Sequence, residues 1–286
     1  MSWNARANGT WARLTGGLLA CLARPGMPVP LGLAAALLVA LPISPPAAAD
    51  EAGGSLVEDW DFVVAPYLLL PSIDGTTSIG RLGGDVSVDP GDIFSTLQFG
   101  GMFHAEARHV SGFGAMFDTA FMFLGDDATG RRGITSVDVD IFQGIFELYG
   151  TYRFDFDDTK LDAYAGARVW DIDTDIDVAI GPLTGSVDSG DTWVDPVIGF
   201  RVQQRVAPKW RLQAQADIGG FGIGGASEFS WNVMGGVAYD GWDQTSIFLL
   251  YRALSVDFDS GTRGTPSFFE YDTITQGPLV GVAYRF

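Results

Sequence analysis

Near its C-terminal end the chain reads GPLVGVAYRF, in which Val280, Val282, Tyr284 and Phe286 alternate with Leu279, Gly281, Ala283 and Arg285. A repeat of two is the signature of a β-strand whose faces meet different surroundings. The same alternation runs through ten segments: 60–70, 97–109, 113–124, 137–154, 161–177, 193–206, 210–221, 229–239, 245–258 and 271–286. In the second, Leu97, Phe99, Phe103, Ala105 and Ala107 oppose Gln98, His104, Glu106 and Arg108. In the seventh, Trp210, Leu212, Ala214, Ala216 and Ile218 oppose Arg211, Gln213, Gln215 and Asp217. Short links near Ser111, Asp157, Pro208 and Trp242 alternate with long ones over 71–96, 125–136, 178–192 and 259–270, and only the Gly-rich link 222–228 departs from the rule. An even number of strands, with short turns at one rim and long loops at the other, predicts an all-β fold. The expected form is a single antiparallel transmembrane barrel of about ten strands, or of about eight or twelve if a long segment or loop is misread.

The polar face decides between a soluble sandwich and a membrane barrel. A sandwich buries its apolar face and scatters mixed charges, lysine included, over the other. Here the polar face carries Arg108, Arg153, Arg168, Arg201, Arg205, Arg211, Arg252 and Arg285 against Asp61, Glu106, Asp118, Glu147, Asp162, Asp195 and Asp217. Lys160 and Lys209 both fall at turns. Arginine matched with carboxylate suits a confined polar interior, where an unpaired charge is costly. The apolar face is therefore expected to meet lipid. An interior network is predicted from His104, Glu106, Arg108, Asp118, Glu147, Arg153, Asp162, Arg168, Asp195, Arg201 and Arg252. Two strand registers follow from keeping both faces consistent: His104 opposite Asp118, and Arg153 opposite Asp162 with Glu147 opposite Arg168. The first needs a three-residue turn at Val110, Ser111 and Gly112, with Gly112 in the left-handed region.

The upper strand ends reverse the pattern. In SVDVDI (136–141), DIDTDIDV (171–178) and SVDFDS (255–260), the lipid-facing parity falls on Asp138, Asp140, Asp171, Asp173, Asp175, Asp177, Asp257 and Asp259. An aspartate facing hydrocarbon is heavily penalised, so these strands should continue above the bilayer with apolar residues inside. Asp171, Asp173, Asp175 and Asp177 are weak candidates for a divalent-cation collar of hard oxygen ligands. The apolar lining above the bilayer is a candidate for a small hydrophobic ligand.

Composition supports this picture. The 286 residues carry 17 Lys+Arg and 35 Asp+Glu, a formal net charge of -18, which argues against general affinity for nucleic acid. The 38 glycines and 13% aromatics suit a twisted, tightly turning sheet. Cys21 is the sole cysteine, which excludes an intrachain disulfide and a thiolate metal site. Residues 1–49 read as an export signal. Arg6, Arg13 and Arg24 precede an apolar run, LGLAAALLVAL, too short to span a bilayer, and Ala47 to Ala49 offer a cleavage site. Met27 is an alternative start, and LLAC at 18–21 is a faint lipoprotein-like pattern ahead of a better apolar run. Residues 50–286 are then the barrel domain.

WDFVVAPYLLLPSIDG (60–75), GDIFSTLQFGGMFHAEAR (91–108), YRALSVDFD (251–259) and the final VGVAYRF resemble Gram-negative outer-membrane β-barrel proteins of the OmpA/OmpW-like superfamily. The resemblance covers nearly all of the mature chain. It implies insertion in the outer membrane among lipid and lipopolysaccharide, with Tyr284 and Phe286 in a C-terminal signal read by the barrel assembly machinery. It brings no catalytic residues and no cofactor. His104, Glu106 and Asp118 form the one tempting catalytic cluster, yet no serine sits on the same face beside them, Ser111 being in a turn and Ser230 on a distant strand, so no enzyme activity is expected. The expected role is a monomeric barrel, structural or weakly permeable to small ions. A binding barrel for hydrophobic molecules or divalent cations at the extracellular end is the alternative.

Overall fold

A computed structural model describes residues 59–129 and 135–286; the expected export signal lies outside them. The elements are β1 (Trp60–Leu69), β2 (Ser72–Ile79), β3 (Leu82–Val88), α1 (Pro90–Thr96), β4 (Leu97–His109), β5 (Phe113–Thr129) and β6 (Thr135–Phe156). They continue with β7 (Thr159–Ile180), β8 (Leu183–Ala207), β9 (Trp210–Gly220), β10 (Phe229–Tyr239), β11 (Thr245–Ser260) and β12 (Phe269–Arg285). Ten of them form an antiparallel ring in the order β1-β4-β5-β6-β7-β8-β9-β10-β11-β12, closed by a β1–β12 pairing. The other two, β2 and β3, are a hairpin that pairs with the upper half of β12, from Phe269↔Ile79 to Gln276↔Ser72. The seam is tied by reciprocal backbone bonds between Phe62 and Phe286, each 3.0 Å.

All ten alternating segments lie in strands of the ring, but three of the four expected long loops are largely strand. Residues 125–129 extend β5 and pair with β6 from Gly125↔Asp140 to Thr129↔Ser136. Residues 178–192 are the tops of β7 and β8, joined by a tight turn at Gly181 and Pro182 and paired from Ile180↔Leu183 downward. Gly181 takes φ +59°, the left-handed region that favours glycine. Residues 71–96 hold the β2–β3 hairpin and α1 rather than an open loop. Ile93 of α1 is buried against Ile73 and Met122. The Val110–Gly112 turn has the expected form: Gly112 is at φ +92° and its amide donates to the His109 carbonyl at 3.0 Å.

Two tiers follow from the unequal strand lengths. In the lower tier the outward side chains are apolar and uncovered, Leu148 60% and Leu249 55% exposed among them. Trp60, Phe62, Val64, Leu68, Phe117, Phe121, Leu212 and Val282 all face outward and none is buried. Aromatic side chains gird the lower rim, with Phe113 against Tyr152 and Trp210 against Tyr239. A second girdle runs through Phe99, Phe123 and Phe142. From Tyr152 up to Phe142 the strand climbs about 25 Å at ~3.3 Å per residue and a tilt of about 40°, the height of a membrane-spanning apolar band.

Above that band β9 and β10 stop, and the ring gives way to two facing sheets, β5–β8 and β11–β12–β2–β3. Trp193 stacks on Phe258 with centroids 3.8 Å apart and on Trp170 at 5.8 Å. Phe269, Tyr271, Ile172 and Val256 complete this core. Asp138, Asp140, Asp173, Asp175, Asp177, Asp257 and Asp259 point outward and are exposed. Faces therefore exchange character along single strands. On β6 the outward series passes from Phe154, Tyr152 and Leu148 to Asp140 and Asp138, and the inward one from Arg153 and Glu147 to Ile145 and Val139.

Candidate functional site: the charged lumen and the cavity below it

Parity and register bring the inward charges of the lower tier together. In the β6–β7 pairing Arg153 is opposite Asp162 and Glu147 opposite Arg168. Arg153 grips Asp162 with two hydrogen bonds, Nε to Oδ1 at 2.6 Å and Nη2 to Oδ2 at 2.7 Å. Arg201 donates to the same carboxylate at 2.7 Å and to both oxygens of Glu106. Arg108 holds Glu106 at 2.8 Å. His104 bridges Glu106 (2.9 Å) and Asp118 (3.1 Å), which stands opposite it in the β4–β5 register. Arg252 continues from Asp118 (3.5 Å) to Glu147 (3.0 Å), and Arg168 from Glu147 (2.5 Å) to Asp217 (2.8 Å).

Several of these contacts cross the lumen. β11, which carries Arg252, and β6, which carries Glu147, stand on opposite sides of the ring. Their 3.0 Å contact spans the lumen at that level. Arg168 and Asp162 are each 0% exposed. Pairing makes this tolerable, since a buried charge without a partner costs several kcal/mol (about 3–5 when one partner of a pair is removed).

Asp195 departs from the expected arginine network. It stands opposite Arg168 in register, but Arg168 turns toward Glu147 and Asp217. The Asp195 carboxylate instead accepts from Trp170 Nε1 (2.9 Å), the Ser227 amide (2.8 Å) and the hydroxyls of Ser227 (3.0 Å) and Ser230 (2.8 Å). It thereby pins the β9–β10 link against the interior, under the aromatic core. Asp217, Asn232, Tyr67, Tyr149 and Tyr164 also join the lumen, which the predicted network omitted. Tyr67 donates to Asp118 and Tyr164 to Asp217, at 2.7 and 2.8 Å. The signal available for them was parity alone, because each sits at an inward position of its strand.

The candidate cation collar is corrected. Asp171, Asp173, Asp175 and Asp177 follow one another along the outer face of β7 at same-face spacings of about 7 Å, so they diverge into solvent. Among the described residues no group of three or more His, Cys, Asp or Glu side chains is arranged to hold a metal ion. The row does repel itself. Asp175 stands between Asp140 and Asp188. Its pKa is raised, first by partial burial and then by Asp188, Asp173 and Asp140. A raised acid favours the folded state below its ordinary pKa, and that contribution is lost as the pH climbs through the raised value. Asp175→Asn is thus expected to slow amide exchange across the top of β6–β8 at pH 7 and low salt, by about 0.5 kcal/mol or less. The gain should vanish below about pH 4 and in high salt. Faster exchange in the variant at pH 7 would contradict the repulsion.

The hydrophobic site expected at the extracellular end is also corrected, because its apolar lining packs on itself through Trp170, Trp193 and Phe258. What remains there is an acidic notch of about 350 Å³ bordered by Asp173, Asp188, Asp191 and Phe269. The larger cavity, about 410 Å³, runs from the charge network, where His104, Glu106, Asp118, Glu147 and Arg252 line it, toward the short turns at the opposite end.

No protein-family model matches the chain, and neither does any curated protein sequence. Solved structures similar to it include the outer membrane protease OmpT from Escherichia coli, with 8% identity over 80% of this chain and 98% of that one and a TM-score of 0.48. A major outer membrane protein from Thermus thermophilus shares 14% identity over 79% and 99% of the two chains, with a TM-score of 0.37. The translocator domain of the autotransporter NalP from Neisseria meningitidis shares 14% over 79% and 88%, with a TM-score of 0.35.

Proposed function

We propose that this chain is an integral β-barrel of the Gram-negative outer membrane whose lumen is closed, so that its role is structural rather than that of a diffusion pore. The observation that carries this reading is the Arg252–Glu147 contact between opposite walls of the ring. An aromatic core stacked directly above it seals the same path a second time. The short turns then face the periplasm and the two acidic sheets face outward, in the layer of lipopolysaccharide. Residues 1–49 serve as the cleaved export signal. Tyr284 and Phe286, stacked with Phe62 at the seam, are the aromatic signal the assembly machinery would meet on the unpaired final strand. A monomer satisfies this arrangement, because the ring closes on itself.

Planar-bilayer recording tests the proposal. The purified protein is expected to give no discrete conductance steps at neutral pH. Regular open-channel steps from the unaltered chain would overturn the closed-lumen reading.

A further inference from the structure

The cavity at the short-turn end has two unlike walls. Tyr67, Met234, Phe248, Leu250 and Leu279, from β1 and β10–β12, make one wall apolar. Arg108, Arg153, Arg201, Gln203 and Gln213, from β4, β6, β8 and β9, make the other polar. Deep in the lumen every arginine has a carboxylate. At the mouth this matching fails. Arg205 stands directly opposite Arg211 across the β8–β9 pairing, and like charges in that position are destabilising. Arg285 adds its repulsion to Arg211 and to Lys160. Arg211 has Asp240 at 3.2 Å but leaves its Nε without a partner. Neither Arg205 nor Arg285 forms an ion pair with a described carboxylate. The acids that border the same mouth, Asp61, Asp157, Asp158 and Asp243, make no ion pair with them either. Asp157, Asp158 and Asp243 lie on turns beyond the last strand pairs, whereas strand parity turns the three arginines inward.

We propose that this vestibule binds a small amphipathic anion, its carboxylate held by Arg205, Arg211 and Arg285 and its apolar part laid along Phe248, Leu250 and Leu279. Arg285 and Leu279 share one face of β12, so a single strand offers the head contact and the tail contact in line. The volume, about 410 Å³, falls within the ~300–1,000 Å³ of small-molecule sites. A planar guanidinium suits a carboxylate through paired N–H donors. The anion would also relieve the Arg205–Arg211 repulsion, which gives the unmatched cluster a physical reason to exist. The site does not depend on whether the lumen conducts, and the test uses no current measurement.

The protein in phosphatidylcholine nanodiscs would be titrated with sodium octanoate, sodium acetate and octyl glucoside while its thermal unfolding midpoint is followed. Octanoate is expected to raise the midpoint, acetate to do so only at about tenfold or higher concentration, and neutral octyl glucoside not at all. In Arg205→Gln/Arg285→Gln the unliganded midpoint should hold or rise, because a like-charge contact is gone. The octanoate response should weaken about tenfold or more. An unchanged octanoate response in that double variant would overturn the arginine assignment. Equal responses to acetate and octanoate would overturn the apolar wall, a response to octyl glucoside equal to that to octanoate would overturn the anionic head, and no response at all would overturn the site.

Discussion

Glu147→Gln is expected to lower the thermal stability of the barrel more than any surface charge change. Glu147 is 3% exposed and accepts from Arg168 at 2.5 Å and Arg252 at 3.0 Å. Both guanidiniums are themselves buried. The amide keeps one oxygen acceptor and the side-chain volume but loses the charge. Arg168 then leans on Asp217, and Arg252 on a longer contact to Asp118 and on Asn232. Leaving part of two buried cations uncompensated costs about 3–5 kcal/mol. Asp127→Asn, on the exposed outer face of β5 opposite Asp138, removes a like-charge neighbour and should change stability by about 0.5 kcal/mol or less. Unfolding midpoints of the two variants against the parent decide the matter. Equal midpoints would show that the network contributes little.

Trp193→Ala is expected both to destabilise the barrel and to breach its outer seal. The indole is 3% exposed, stacks on Phe258 and Trp170, and donates to Ser227 at 2.7 Å. Truncating a buried tryptophan costs about 3–5 kcal/mol through lost contacts and the void left behind. Ser227 also loses the donor that helps hold the β9–β10 link inward. On the closed-lumen proposal, conductance should still stay silent, because the Arg252–Glu147 contact below is left in place. Combining Trp193→Ala with Glu147→Gln should produce flickering small-ion currents that neither change gives alone. Full channel steps from Trp193→Ala alone would place the barrier in the aromatic core rather than in the ion pairs.

The fold was legible because a repeat of two is strict in a strand, and a barrel leaves every strand with two contrasting faces. Glu147, Arg168, Arg153 and Asp162 could be paired from the sequence because a slip by two residues breaks both contacts. The upper parts of β7 and β8 were less legible: Gly-rich and acidic stretches around Gly185 and Gly190 read as loop, yet edge pairing with β7 extends them as strand. The partners of Asp195 were hidden for a different reason. Ser227 reaches it from a link whose path depends on left-handed backbone at Gly220 (φ +84°) and Phe221 (φ +70°), and periodicity carries no information about such a turn. The vestibule was hidden too. Parity says which way Arg205 and Arg285 point, but only the ring's closure shows that they share one mouth.

The exchange of facial character along β6, β7 and β11 also acts as a depth gauge. Were the barrel to sink by one residue pair, Asp171, Asp140 and Asp257 would be drawn toward hydrocarbon, each at an energetic cost that grows with depth. Were it to rise, the outward leucines and the aromatic girdle of the lower rim would be pulled into water at about 25 cal/mol per Å². Displacement in either direction therefore meets a restoring force. With the outer-membrane placement proposed above, the barrel should hold one height in the bilayer and, in one of different thickness, deform the lipid around it rather than shift along the normal.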